Sequence, residues 1–175
     1  MSIRRRYIKQ VVRSLLAETG VSSAPVDVEG IARSRNALVH KQPVANDASG
    51  YLFRDARLGS AVIGVNASHP VTRQRFTVGH ELAHYLLHSG DAVHVDDRFV
   101  LMRRDGRSAE GVDPREIEAN LFAAELLMPE EFLSHDINAF GGVDVLDEEQ
   151  VRRLAKRYGV SEQAMTIRLT TLGFL

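Results

Sequence analysis

Residues 71–88 read Val71-Thr72-Arg73-Gln74-Arg75-Phe76-Thr77-Val78-Gly79-His80-Glu81-Leu82-Ala83-His84-Tyr85-Leu86-Leu87-His88. His69-Pro70 before the stretch permits a helix start and Gly90 after it stops one, so the pattern predicts a single long helix from about Val71 to His88. His80 and His84 lie one turn apart on one face of that helix, and their imidazoles can converge on a single tetrahedral ion. Glu81 is displaced from His80 by about a third of a turn, where it can flank the ion without ligating it and accept a proton from water the ion polarises. That is the division of labour metal-assisted hydrolysis requires.

A third ligand is then needed. The metzincin spacing asks for Gly at 87 and His at 90, where this chain has Leu87 and Gly90, so that class is excluded. His88 continues the stripe but lies about 12 Å along a straight helix from His80, too far to share the ion, and is read as packing or as support for a ligand. The remaining source is a carboxylate from the second strong helix, which begins at Asp113-Pro114 and runs to Met128. Asp113 suits the N-cap, Pro114 the first helical position and Glu116 the capping-box acid. With Ile117, Leu121, Ala124 and Met128 as the expected core stripe, Glu118 and Glu125 are left as acids inside a mostly apolar helix, where charge is costly unless paired or metal-bound. Glu118 is the expected third ligand. Glu125 is read either as a hydrogen-bond partner of a ligand histidine or as an exposed charge.

Ile3, Tyr7, Val11 and Leu15, with Val12 and Leu16 beside them, are expected to form the apolar stripe of a helix ending near Gly20. A second short helix is expected after Pro25 with Val28, Ile31 and Ala32 inward, and a strand from Ala37 to Val44. Gly50 to Arg54 and Ser60 to Val65 read as a hairpin joined by the polar turn from Asp55 to Gly59. Phe99 to Met102 reads as another strand and Arg103 to Gly111 as a loop. Leu154 to Met165 has the spacing of a helix-turn-helix, with Ser161 capping its second helix and Arg152, Arg153, Lys156, Arg157 and Arg168 supplying basic character. Its second helix offers few base-reading side chains, so docking onto the catalytic unit or a protein partner is expected rather than direct DNA binding.

Two stretches together, Arg73 to His84 and Glu116-Ile117-Glu118-Ala119-Asn120-Leu121-Phe122-Ala123-Ala124-Glu125-Leu126-Leu127-Met128-Pro129, resemble the ImmA/IrrE metallo-endopeptidases. The resemblance spans about Gly50 to Pro129. It implies a gluzincin-like fold in which the two histidines and the Glu immediately before the Ala-Asn pair bind zinc, here His80, His84 and Glu118. It further implies a bacterial or phage cytoplasmic protease that cuts helix-turn-helix repressors or antitoxins and so switches on stress, phage or mobile-element genes. Gly79 and Ala83 stand where Ala and Gly are commoner in the family, and a counterpart of the sensor domain of the radiation-response members is not expected.

The bulk properties fit this reading. A chain of 175 residues with 44% apolar and 26% charged residues can bury one core with a small appended module. A net charge of −1 provides no global field for nucleic acid or membrane. The absence of cysteine excludes thiolate ligands and disulfides and suits a reducing compartment. No apolar run approaches a membrane span or signal peptide, so a cytoplasmic protein is expected. The expected fold is α+β, a zincin-like metallopeptidase core with a small sheet on the histidine helix. Its divisions are residues 1–135, the peptidase domain, and residues 136–175, a C-terminal helical segment. Glu81 is the expected catalytic base and Zn2+ the cofactor. Tyr51, Arg75, His88 and His94 are candidates to stabilise an oxyanion, and an exposed sheet edge could take substrate as an added strand. The competing reading is a non-proteolytic regulator that binds its partner repressor or DNA through the C-terminal helices.

Overall fold

The computed structural model describes residues 3–44, 48–89, 92–96, 113–139, 141–142 and 147–175. Among them the order is α1 (Arg5–Glu18), α2 (Val28–Ser34), β1 (Ala37–Gln42), β2 (Gly50–Asp55), β3 (Ser60–Asn66), α3 (Val71–Leu87), β4 (Val93–Asp96), α4 (Pro114–Leu127), α5 (Glu130–Ala139), α6 (Glu148–Tyr158) and α7 (Glu162–Leu172). The architecture is α+β. The strand expected at Phe99 to Met102 and the loop expected at Arg103 to Gly111 lie outside the described residues.

β2 and β3 form the expected antiparallel hairpin, with Asp55 opposite Ser60 and Gly50 opposite Val65. The Asp55 carboxylate closes its turn by accepting the backbone N–H of Arg57 at 3.0 Å and of Leu58 at 3.1 Å, a side-chain mimic of a backbone turn. β1 adds parallel to β3 and β4 antiparallel to β2, so the sheet order is β1-β3-β2-β4. Gly50 lets this sheet sit close on α3. A Cβ there would lie 2.5 Å from Thr77 Cγ2 and 2.7 Å from the Gly64 carbonyl oxygen, distances no side chain can occupy.

α3 is covered by the sheet on one side and by α4 on another. A Cβ on Gly79 would lie 3.2 Å from Ala123 Cβ and 3.3 Å from its Cα, so the two helices approach through small residues immediately beside His80. Leu82 and Phe122 are fully buried, and each such side chain contributes about 1.5–3 kcal/mol of burial.

Two expected stripes are rotated. On α1 the buried positions are Ile8, Val12, Leu15 and Leu16, while Tyr7 is 47% exposed. On α4 the buried positions are Glu118, Ala119, Phe122, Ala123, Glu125, Leu126 and Leu127, whereas Ile117, Leu121 and Ala124 are half-buried. The reason is that α4 packs against both α3 and α1, so it buries two faces and has no single stripe.

The last two helices are tied to this core. Gly159 ends α6 in the left-handed conformation at φ 65°, and the Ser161 hydroxyl caps α7 by accepting the Ala164 N–H, as its position predicts. Arg75 on α3 donates to the carbonyls of Gly159 at 3.1 Å and Val26 at 2.8 Å. Arg168 on α7 is buried against Glu125 at 2.5 Å and donates to the Met128 carbonyl at 3.0 Å. Tyr158 donates to the Asp136 carboxylate at 2.9 Å, and Leu154, Tyr158, Met165 and Leu169 join the common apolar core.

Candidate metal centre

α3 presents His80 and His84 one turn apart, both nearly fully buried at 3% and 2% exposure. Their Nε2 atoms face each other at 3.1 Å. The first turn of α4 brings Glu116 onto both: one carboxylate oxygen is 3.2 Å from His80 Nε2 and the other 3.2 Å from His84 Nε2. From β4, His94 places Nε2 3.7 Å from the Glu116 carboxylate, and its ring lies 4.1 Å from that of His84. One ligand atom from each of these four residues falls within 4.8 Å of all the others.

This donor set fits zinc. Ligand bonds of 2.0–2.1 Å in a tetrahedral sphere put donor atoms about 3.3 Å apart, and the three contacts among His80, His84 and Glu116 measure 3.1, 3.2 and 3.2 Å. A hydrogen bond behind the site orients one of the rings: His80 Nδ1 meets Asn120 Oδ1 at 3.0 Å, which turns Nε2 toward the cluster.

Charge states agree with that geometry. Burial pushes the His84 pKa down to about 4, only partly offset by the hydrogen bond to Glu116, so near neutral pH the ring is uncharged and able to ligate. Burial alone would push the Glu116 carboxyl up, but its hydrogen bonds and charge interactions with His80 and His84 outweigh that and hold it well below the usual carboxylate range. The position at the N-terminal end of a helix favours the same anion.

The third carboxylate expected from the sequence is not in this cluster. Glu118 is 2% exposed and faces the other side of α4, where Arg4 grips it through the backbone N–H at 2.8 Å and the guanidinium at 2.5 Å, and where His88 Nε2 lies 3.1 Å from Oε2. Glu116, expected as the capping acid, stands between the histidines instead. Asp113 caps the helix by accepting the Arg115 N–H at 2.9 Å. Residues two apart on a helix point about 200° apart, so the two acids cannot share a site. The hydrogen bond from Arg4 is the main cause holding the Glu118 pKa down at about 2, and Glu118 is an ionised carboxylate.

Of the other expected residues, Glu81 is fully buried on the side of α3 that meets the start of β2, its Cγ 3.7 Å from where a Gly50 Cβ would be. Glu125 neither meets a ligand histidine nor stands exposed, but pairs with Arg168. Arg75 is committed to the α6 turn and Tyr51 packs over Gly64. His88 touches His84 Nδ1 at 3.2 Å and Glu118, and burial lowers its pKa. A small polar cleft opens beside the cluster, lined by Arg54, His84, His88, His94, Arg115 and Glu116. Arg54 also donates to the His84 carbonyl at 2.7 Å, covering the open end of α3. From the sequence alone His94 is one oxyanion candidate of four. The signal that marks it is its pairing opposite Leu52 of β2, which is a property of the sheet.

The family model of the M78 peptidases, described as the IrrE N-terminal-like domain, matches residues 32–170. Among solved structures, a Mycobacterium tuberculosis transcriptional regulator is similar in fold, with a TM-score of 0.59 at 16% identity over 94% of this chain and 46% of that one. The chain thus spans under half the length of that protein. No match is found among curated proteins.

Proposed function

The chain belongs to the M78 peptidase family, and from that premise we propose that it is a zinc-dependent endopeptidase that cuts a helix-turn-helix repressor or antitoxin. The observation that carries the enzyme reading is the convergence of His80, His84 and Glu116 at mutual distances of 3.1–3.2 Å. In this reading those three side chains hold the ion, and Asn120 fixes the ring of His80. Zinc so held would supply a Lewis acid and lower the pKa of water toward 7.

The remaining chemistry belongs to the protein. A Glu81 carboxylate oxygen takes the proton from the attacking water and returns it to the leaving amine, so one buried acid serves both steps. His94, on the less buried rim with 31% of its side chain exposed, stabilises the developing oxyanion. Arg54 and Arg115 line the cleft and supply donors to peptide carbonyls. β4 is one of the two edge strands of the sheet among the described residues, and a substrate segment added along it as a strand would pass His94.

The repressor as substrate rests on the family resemblance. The basic side chains of α6 favour a protein partner over DNA: Arg152 pairs with Glu162, Arg153 with Glu149 and Arg157 with Asp136, which spends charge that phosphate contacts would need. No helix among the described residues is long and apolar enough to cross a membrane. The test is to incubate the protein, with and without chelator, with a helix-turn-helix repressor encoded beside it and to analyse the products by mass spectrometry. A single defined cut that chelator abolishes is expected. An intact repressor in the presence of bound zinc would overturn the substrate assignment.

A further inference from the structure

His80, His84 and Glu116 come from two helices, and a fourth donor reaches them from the sheet. His94 pairs opposite Leu52 in the antiparallel register of β4 with β2, and Val93 opposite Phe53. Leu52 is fully buried, whereas Phe53 and Val93 are 44% and 53% exposed. Successive side chains of a strand point to opposite faces, so the register that sends Val93 outward turns His94 to the inner face, the one packed on α3. There its ring lies 4.1 Å from that of His84, tilted by 34°. Its Nε2 is 3.7 Å from Glu116 Oε1, the oxygen that is also 3.2 Å from His84 Nε2.

We propose that His94 is a fourth protein ligand of the ion, which closes the site in the substrate-free protein and must leave before substrate can bind there. The proposal rests on the metal-centre reading above.

Distances and anchoring both favour a ligand that can come and go. Tetrahedral donors at zinc stand about 3.3 Å apart, and His80, His84 and Glu116 already have that spacing. One donor atom from each of the four residues lies within 4.8 Å of the others, so drawing the widest pair together takes at most about 1.5 Å. His94 is the one placed to make that movement. It sits on a strand of four residues at the edge of the sheet, paired to β2 alone among the described residues, while the other three stand on helices packed against each other. Zinc with four protein ligands is the closed arrangement of a structural site, and hydrolysis needs the fourth position free. Here a hydrolytic motif has a fourth imidazole within reach, and the edge strand is the element that allows the closed set to open. The oxyanion role of His94 then begins only after Nε2 has left the ion and carries a hydrogen. If His94 served packing alone, removing its imidazole would leave the ion's coordination unchanged.

X-ray absorption at the zinc edge of the zinc-loaded wild-type protein should count three imidazoles in a four-coordinate sphere of nitrogen and oxygen. Two imidazoles in wild type would overturn the proposal without any variant. His94→Ala should lower the count to two, put a solvent oxygen in place of the lost nitrogen, and weaken zinc binding by at least about 10-fold in chelator competition. His94→Gln, which keeps more of the bulk, should lose the same imidazole, and circular dichroism checks that both variants are folded. In the cobalt-substituted proteins, added imidazole should shift the visible d–d bands of His94→Ala and leave those of wild type unaltered. An unchanged imidazole count and affinity in the folded variants would also overturn the proposal. The reading beneath it fails separately: zinc held by two imidazoles, a carboxylate and solvent keeps the metal centre and removes the closure, whereas wild-type protein that binds no zinc removes both.

Discussion

Glu116→Gln separates the two acids of α4 most directly. The substitution keeps volume and one carbonyl oxygen but removes the charge and one of the two oxygens that lie 3.2 Å from His80 and His84. Loss of a residue that only supports a ligand typically costs 10–100-fold in metal affinity, so loss of a charged ligand should cost at least about 100-fold, or about 2.7 kcal/mol. Zinc at a thousand times the wild-type dissociation constant stabilises the fold by about 4.1 kcal/mol, and a site weakened 100-fold retains about 1.4 kcal/mol at the same concentration. For a chain of this size each kcal/mol moves Tm by about 2–4 °C, so the zinc-induced rise should shrink by roughly 5–11 °C. Calorimetry with and without zinc reads this, and chelator competition gives the affinity independently. The metal-free protein should lose some stability too, because the ionised carboxylate's favourable interactions with both imidazoles go with the charge, so the zinc-induced rise is taken against the variant's own metal-free Tm. If Glu116→Gln kept the full zinc-induced rise, the three-ligand assignment would be refuted.

Other outcomes follow from the same geometry. Glu81→Gln should bind zinc like wild type yet lose about 10²–10⁴-fold in hydrolysis of a cleavable peptide; parallel loss of zinc would count against a base and for a ligand. The metal-free protein should lose stability on acidification in two stages. His84 has a folded pKa near 4 against an ordinary value of about 6.5, so between those limits the unfolded chain binds more protons and stability rises with pH. Glu116, depressed in the fold, adds a further loss below the ordinary carboxylate pKa; a Tm flat from pH 6.5 to 4 in wild type would contradict this. Arg168→Met leaves Glu125 buried without its partner and should cost about 3–5 kcal/mol, a drop in Tm of roughly 6–20 °C. Adding Glu125→Leu should recover much of it, and a single variant with wild-type Tm would show that α7 is not anchored there.

The metal helix was legible because its information is local. Two histidines four apart, an adjacent acid and a helix bounded by Pro70 and Gly90 are read from spacing alone, and the hairpin of β2 and β3 from alternation with a polar turn. His94 was not assigned to the cluster because β4 has only four residues, too few for an alternation, and because its place depends on pairing opposite Leu52. The α1 stripe was displaced by one position because Tyr7 and Ile8 are both apolar, and only the packed structure shows that Ile8 goes inward.

The misplaced carboxylate has a different cause, and it says how α4 works. An amphipathic stripe sorts charges only when a helix buries one face, and α4 lies between α1 and α3. Its three inner acids then each require an answer from a separate element. Glu116 and Asn120, one turn apart, face the histidines of α3. Glu118, on the opposite side, is answered by Arg4 ahead of α1, and Glu125, near the other end, by Arg168 of α7. A capping rule applied to the first turn assigned Glu116 a local duty, yet Asp113 alone performs it, which frees the next acid for long-range work. Burying two carboxylates and half-burying a third on one helix is tolerable only because each has a cationic or imidazole partner. The same arrangement makes their removals distinguishable, with loss of Glu116 read in metal affinity, loss of Glu118 in the anchoring of Arg4 ahead of α1, and loss of the Glu125 pair in the docking of the last helix.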